Sequence, residues 1–218
     1  MLTPAEQYDR LPPETQRLLD EINFLAAELR DHLLLEQFYL ALNALNARLQ
    51  QLHPEIACVQ GCSTCCQTQG NQWQLLPMEW SLIQRALQAL PQAQQLRVQS
   101  QLQQLADPAS GSSCPLLLDG RCAVYAFRPL DCRLKGYSFS QERLLPMQPA
   151  LPQAFSCLAE QQRILHDLKR PGRALFYMFF PQREALQQVL QRIEPSDDQS
   201  QTLAHWLEQH FEALHSAA

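Results

Sequence analysis

A chain of 218 residues with 46% hydrophobic content is long enough, and apolar enough, to bury a sizeable core in one domain. Its 22 acidic residues outnumber 17 basic ones for a formal charge of -5, which argues against nucleic-acid binding, since such proteins carry a basic excess. No run approaches the roughly eighteen apolar residues of a membrane span, and the start Met1-Leu2-Thr3-Pro4-Ala5-Glu6 lacks the basic opening and apolar middle of a signal peptide. The expectation is a cytoplasmic chain with neither membrane nor nucleic acid as partner.

The chain opens with helix. Leu18, Ile22, Leu25 and Leu29 recur at three- and four-residue steps, and Phe38, Leu42, Leu45 and Leu49 continue them, so one or two amphipathic scaffold helices span about residues 14 to 51. His32 and His53 read as surface or core histidines rather than ligands. The stretch Cys58-Val59-Gln60-Gly61-Cys62-Ser63-Thr64-Cys65-Cys66 then puts four thiols into nine residues. Cys114, Cys122, Cys132 and Cys157 follow, so all eight cysteines are confined between positions 58 and 157. Scattered core thiols would not cluster in this way. In a reducing cytoplasm such a set reads as metal ligands rather than disulfides.

After a connection holding Gly70 and Trp73, Pro77 at a first helical position and Glu79 in the first turn predict a helix to about Leu90. Pro91 starts a second, to about Leu105, and the segment from Asp107 to Ser113 is a loop by composition. Asp119-Gly120, flanked by Leu116-Leu117-Leu118 and Arg121 to Tyr125, predicts a type I′ hairpin in which Leu117 faces Cys122 and Leu118 faces Arg121. A strand reaching back to Cys114 would turn that thiol away from Cys122, unless Pro115 releases it from the ladder. From Arg128 to Gly136 the chain reads as a short helix around Cys132, with Pro129 at its start and Gly136 as its stop.

Cys157, beyond Pro146, Pro149 and Pro152, opens a further helix toward Lys169. After the Pro171-Gly172 break, Phe176-Tyr177-Met178-Phe179-Phe180 reads as core or as a lid. The last helix is led by Ser196, Asp197 and Asp198 and carries Leu203, Trp206, Leu207, Phe211 and Leu214. His205, His210 and His215, five residues apart, share no helical face and read as solvated. The fold class that emerges is mainly α, a helical scaffold around a loop-rich cysteine core with one small β-hairpin. It divides into a helical segment over 1–52, a cysteine segment over 53–160 and a closing helical segment over 161–218, together one structural domain.

Thiolates bind zinc and iron-sulfur clusters, and four suffice for either. Cys62-x-x-Cys65 has the spacing of a zinc knuckle, while Cys58-x3-Cys62-x2-Cys65 matches the cluster spacing of radical S-adenosylmethionine enzymes, whose barrel of alternating strands and helices has no counterpart here. Adjacent Cys65 and Cys66 diverge by about 100° on a helix, which favours two metal sites, or one cluster with a partner thiol. A four-thiolate site carries about -2. Arg121, Arg128, Arg133 and Lys135 are at hand to offset it, and Arg128 and Arg133 are the cations assigned to the bound group.

The order Cys58-x3-Cys62-x2-Cys65-Cys66, then Cys114-Pro-Leu-Leu-Leu-Asp-Gly-Arg-Cys122-Ala-Val-Tyr125-Ala-Phe-Arg128-Pro129-Leu-Asp-Cys132-Arg133, then Cys157, resembles the bacterial family of zinc- or iron-chelating cysteine-cluster proteins of the CxxCxxCC type. The likeness covers about residues 55 to 160. It departs in having three residues in the first gap, and Gln67 where a basic residue is common. The resemblance implies metal binding by all eight cysteines, with an iron-sulfur cluster or zinc as cofactor. Some members of the family are described as iron-sulfur oxidoreductases, and one branch methylates lysines of flagellin. Two function classes follow, a metal-binding protein and an iron-sulfur enzyme with an open iron. The terminal helices are left available to a protein partner.

Overall fold

The computed structural model describes residues 2–56, 58–69, 73–105, 113–138, 176–177, 179–195 and 200–216. Among these, the helices in chain order are α1 (Pro4–Asp9), α2 (Pro13–Glu28), α3 (Leu35–Leu52), α4 (Thr64–Gln69), α5 (Pro77–Gln88), α6 (Gln92–Gln104), α7 (Leu130–Leu134), α8 (Arg183–Ile193) and α9 (Leu203–Ser216). The strands have two residues each: β1 (Gln74–Leu75), β2 (Leu117–Leu118), β3 (Arg121–Cys122) and β4 (Gln201–Thr202). The protein is mainly α. It forms two compact units, Met1–Cys58 with Arg133–Ile193, and Val59–Cys132 with Glu194–Ala218.

In the first unit most of the predicted apolar stripes becomes the core. Ile22 and Leu29 meet Phe38, Leu42, Leu45 and Leu49, all fully buried, where α2 packs on α3; Leu18 and Leu25 are only partly buried, and Leu19, outside the predicted stripe, is fully buried in their place. Helix α1 buries nothing and so leaves no apolar pattern. Its mark is a capping box at the surface, in which the Thr3 N–H donates to Glu6 Oε2 at 2.7 Å and the Glu6 N–H to Thr3 Oγ1 at 3.3 Å. Helix α8, expected only as part of the closing helical segment, adds Leu186, Val189 and Leu190. His53 is fully buried, 4.9 Å from the Tyr177 ring and 5.2 Å from the Phe180 ring. It is a core histidine, and the Phe176–Phe180 run supplies core rather than a lid.

In the second unit α5, α6 and α9 enclose Trp73, Leu75, Ile83, Leu87, Val98, Leu102, Leu203, Leu207 and Phe211. Both helices foreseen between Pro77 and Leu105 form there. A second ladder, too short for any alternation to betray it, pairs Gln74 with Thr202 and Leu75 with Gln201 antiparallel, and the Leu203 N–H donates to the Trp73 carbonyl at 2.8 Å. This ladder corrects the start of the last helix. Strand β4 holds the chain extended up to Thr202, whose Oγ1 accepts the His205 N–H at 3.2 Å and caps α9; residues 196–199 lie outside the described residues. The solvated reading of the histidines is also corrected at His210. A step of five residues turns a helix by about 140°, so His210 can face inward while His205 does not. His205 is exposed, whereas His210 is buried against Trp80 and Phe211.

Candidate metal centre

The second unit gathers most of the thiols. Asp119 (φ 51°) and Gly120 (φ 74°) both adopt the left-handed backbone that a type I′ turn requires, and the register pairs Leu117 with Cys122 and Leu118 with Arg121 as expected. Helix α6 fixes this hairpin: Arg97 donates to both Asp119 carboxylate oxygens at 2.9 and 2.6 Å, and Gln101 Nε2 donates to the Leu117 carbonyl at 3.1 Å. Cys122 is thereby held on β3.

Cys114 lies before the ladder, which begins only at Leu117, so Pro115 does release it. Its N–H donates to the Cys66 carbonyl at 2.6 Å, binding it to α4. The side chains follow the backbones. The Cys66 thiol hydrogen-bonds with both Cys114 and Cys65, so the two adjacent cysteines on α4 contribute to one group despite their angular divergence. Cys132 arrives on α7, partly buried against the same core and near Cys65, Cys122 and Cys66. Five thiols from four separate segments thus meet against the core of α5, α6 and α9.

Their electrostatics describe a site short of positive charge. The hydrogen bond with Cys114 pushes the Cys66 thiol up to about 12 against the opposing hydrogen bond with Cys65, with burial and the charges of Cys114 and Cys122 adding to the rise. Burial pushes Cys122 up, and pushes Cys132 well up with help from Cys65, Cys122 and Cys66. Arg128 works the other way on both Cys122 and Cys132. Its guanidinium sits 3.6 Å over the Tyr125 ring, and its Nε donates to the Tyr125 carbonyl at 3.0 Å. Tyr125 is therefore the platform that aims the cation, a role its place in the sequence did not announce.

Other predicted residues lie elsewhere. Cys58 belongs to the first unit, where its carbonyl accepts the Tyr137 hydroxyl at 2.8 Å. Cys62, at the entrance of α4, turns its thiol to Thr64 Oγ1 at 3.8 Å. Arg133 is buried in the first unit, 4.2 Å over the Tyr39 ring, with Nη1 donating to Asn43 Oδ1 at 2.7 Å, and Lys135 is buried there as well. Arg121 is exposed. Cys157, its helix toward Lys169, the break at Pro171 and the loop positions 106–112 lie outside the described residues.

Glu79, which the sequence marks only as a first-turn acid, is buried in this unit. Its Oε2 accepts the Leu76 N–H at 3.1 Å and its Oε1 the Leu130 N–H at 2.8 Å, tying the start of α5 to the start of α7.

The described cysteines stand as thiols, and among the described residues no three His, Cys, Asp or Glu side chains converge closely enough to ligate one ion without adjustment. The chemistry of the donor set still fits a thiophilic metal. Several soft donors share one place, and Cys66, Cys122 and Cys132 resist ionising, Cys66 through its hydrogen bond with Cys114 and the other two through burial, with repulsion from neighbouring sulfurs adding to each. A bound cation relieves that repulsion.

Residues 57–152 match the CxxCxxCC family, described as a "putative zinc- or iron-chelating domain". The match covers a little under half of the chain and contains seven of its eight cysteines. No curated protein and no solved structure matches. No helix among the described residues is long and apolar enough to cross a membrane.

Proposed function

Starting from a cysteine segment that matches a zinc- or iron-chelating family, we propose that the second unit is a metal-binding unit that holds zinc or an iron-sulfur cluster. One observation carries the reading: Cys65, Cys66, Cys114, Cys122 and Cys132 converge from four segments onto one core. Thiolate donors favour zinc and iron-sulfur clusters over magnesium or calcium, which take oxygen. Bound metal supplies the positive charge that this sulfur-rich place lacks, with Arg128 on its Tyr125 platform as the protein's own counter-charge. Cys58, Cys62 and Cys157 complete the eight-cysteine ligand set. The thiols imply a reducing compartment such as the cytoplasm.

A second reading has its own support. Five thiols exceed the four positions of a tetrahedral zinc shell, and adjacent Cys65 and Cys66 share one hydrogen-bonded group. Both features favour a polynuclear centre. That centre would be an iron-sulfur cluster, in a protein that uses an open iron in oxidoreductase or methylase-like chemistry. Anaerobic purification with metal and sulfide analysis tests both. Colourless protein with stoichiometric zinc supports the first reading, and brown protein with iron and sulfide supports the second. Less than half an equivalent of either metal per chain after reconstitution overturns the proposal.

A further inference from the structure

We infer that Glu79 is a positioning residue for the metal centre: its carboxylate, fixed on α5, holds the start of α7 and so sets Cys132 among the other thiols. The inference rests on the metal-binding reading above and adds a residue that is not itself a ligand.

Glu79 is 3% exposed. Burying a carboxylate is costly unless backbone or cationic donors satisfy it, and capping a helix does not demand burial. Glu6 performs the same reach-back for α1 at an exposed position. Glu79 differs in using its second oxygen elsewhere: while Oε2 caps α5 through Leu76, Oε1 takes the N–H of Leu130, 51 residues away. Leu130 begins a helix of only five residues, and Cys132 lies in its first turn. A single turn cannot hold itself, because helix nucleation is unfavourable without tertiary support. Helix α5 is firmly seated through Trp80, Ile83 and Leu87, so Glu79 carries the rigidity of the core to α7 and to Cys132, a partly buried thiol packed against that core.

Only a carboxylate offers an acceptor oxygen to each of two N–H groups. A glutamine of the same size presents one oxygen and one N–H₂ donor, so Glu79→Gln sacrifices one bond while preserving shape. Glu79→Asp keeps both acceptors but is one methylene too short to reach both partners.

The test uses the full chain, with zinc affinity measured by competition against a chromophoric chelator, and alkylation of each cysteine followed by mass spectrometry. In Glu79→Gln, zinc affinity falls on the order of 10- to 100-fold, as for other residues that orient ligands. Cys132 alkylates at least several-fold faster, while Cys66 and Cys114, held by their own backbone bond, keep the wild-type rate. Val98→Ala, a core cavity in the same unit, serves as the control for general loosening. Affinity within twofold of wild type in Glu79→Gln overturns the inference, as does Val98→Ala reproducing the selective change at Cys132 for an equal loss of melting temperature. Should the Gln variant not fold, Glu79→Asp is read by the same two measurements. Should the wild-type chain bind neither zinc nor iron, the metal-binding reading falls by itself. Alkylation of Cys132 in metal-free protein then still decides the anchor, and an unchanged rate in the variant overturns it.

Discussion

Metal binding at the thiol cluster should be driven by pH to an extent set by the cluster's own protons. Cys66 is pushed up to about 12 by its hydrogen bond with Cys114, and burial pushes Cys122 and Cys132 above the ordinary thiol value. The sign follows directly. A raised value means the folded, metal-free protein keeps its protons at neutral pH, so each thiol must release one to become a ligand, and affinity climbs as pH rises. Three such thiols give about three decades of affinity between pH 6.5 and 7.5, a dependence that ordinary thiols would share. The discriminating range lies above pH 9, where thiols of the usual value near 8.5 have already ionised and contribute no further slope. Cys66 and Cys132 still hold their protons there, so affinity should go on rising at least tenfold per pH unit up to pH 10. Chelator competition from pH 6.5 to 10, with proton release counted by calorimetry in buffers of different ionisation enthalpy, measures both regimes. An affinity that levels off at pH 9, with less than one proton released beyond it, would refute the assignment of Cys66 as a hydrogen-bonded ligand.

Metal should protect the second unit selectively: at a free concentration 100 times Kd, hydrogen exchange in α5, α6 and α9 should slow by up to about 100-fold. Exchange in α2 and α3 should change little, and equal protection of those helices would contradict the division. Arg128→Leu should lower metal affinity and melting temperature together, because Cys122 and Cys132 lose a cation that eases their ionisation; normal values of both would return Arg128 to an ordinary surface role. Leu42→Ala, at a fully buried position of the first unit, should cost about 2–5 kcal/mol in urea unfolding while leaving metal content unchanged. Burial pushes the His210 imidazole below its usual 6.5, so the stability it protects is present above that pH and is lost as pH falls through the folded value. Denaturation midpoints at pH 7.5 and 5.0 should diverge less in His210→Leu than in wild type.

Local patterns explain what the sequence could reveal. The 3.6-residue repeats of α2 and α3 survive largely as buried stripes, Pro77 and Pro91 mark the starts of α5 and α6, and Asp119-Gly120 specifies turn and register together because both residues must adopt positive φ. Elements without a local pattern stayed hidden. Helix α1 buries nothing, α8 shows barely two turns of apolar spacing, and the pairing of β1 with β4 spans more than a hundred residues with two residues a side. At the site, the eight cysteines were evident, but their grouping was not. That Cys65 and Cys66 share a group, that Cys114 reaches α4, and that Arg133 turns to Tyr39 are outcomes of long-range packing. Glu79 looked like any first-turn acid, since nothing near it in the chain announces its bond to Leu130.

The seating of α9 beside the cysteine helices has a consequence for how the protein is made. Leu203, Leu207 and Phe211 are almost completely buried in the core that backs the thiols, and side chains of this kind contribute about 1.5–3 kcal/mol each. Their sum is comparable with the whole stability of a small domain. Yet α9 leaves the ribosome some seventy residues after Cys132, roughly four to fourteen seconds later at ordinary rates of synthesis. During that interval the nascent chain offers its cysteines to solvent with no finished core behind them. Metal delivered then would meet flexible thiols that can still rearrange, whereas metal delivered after α9 docks must open a closed structure. Cells starved of metal during synthesis should therefore yield protein that loads slowly afterwards, and a fragment cut to the boundaries of the family match would lack α9 altogether.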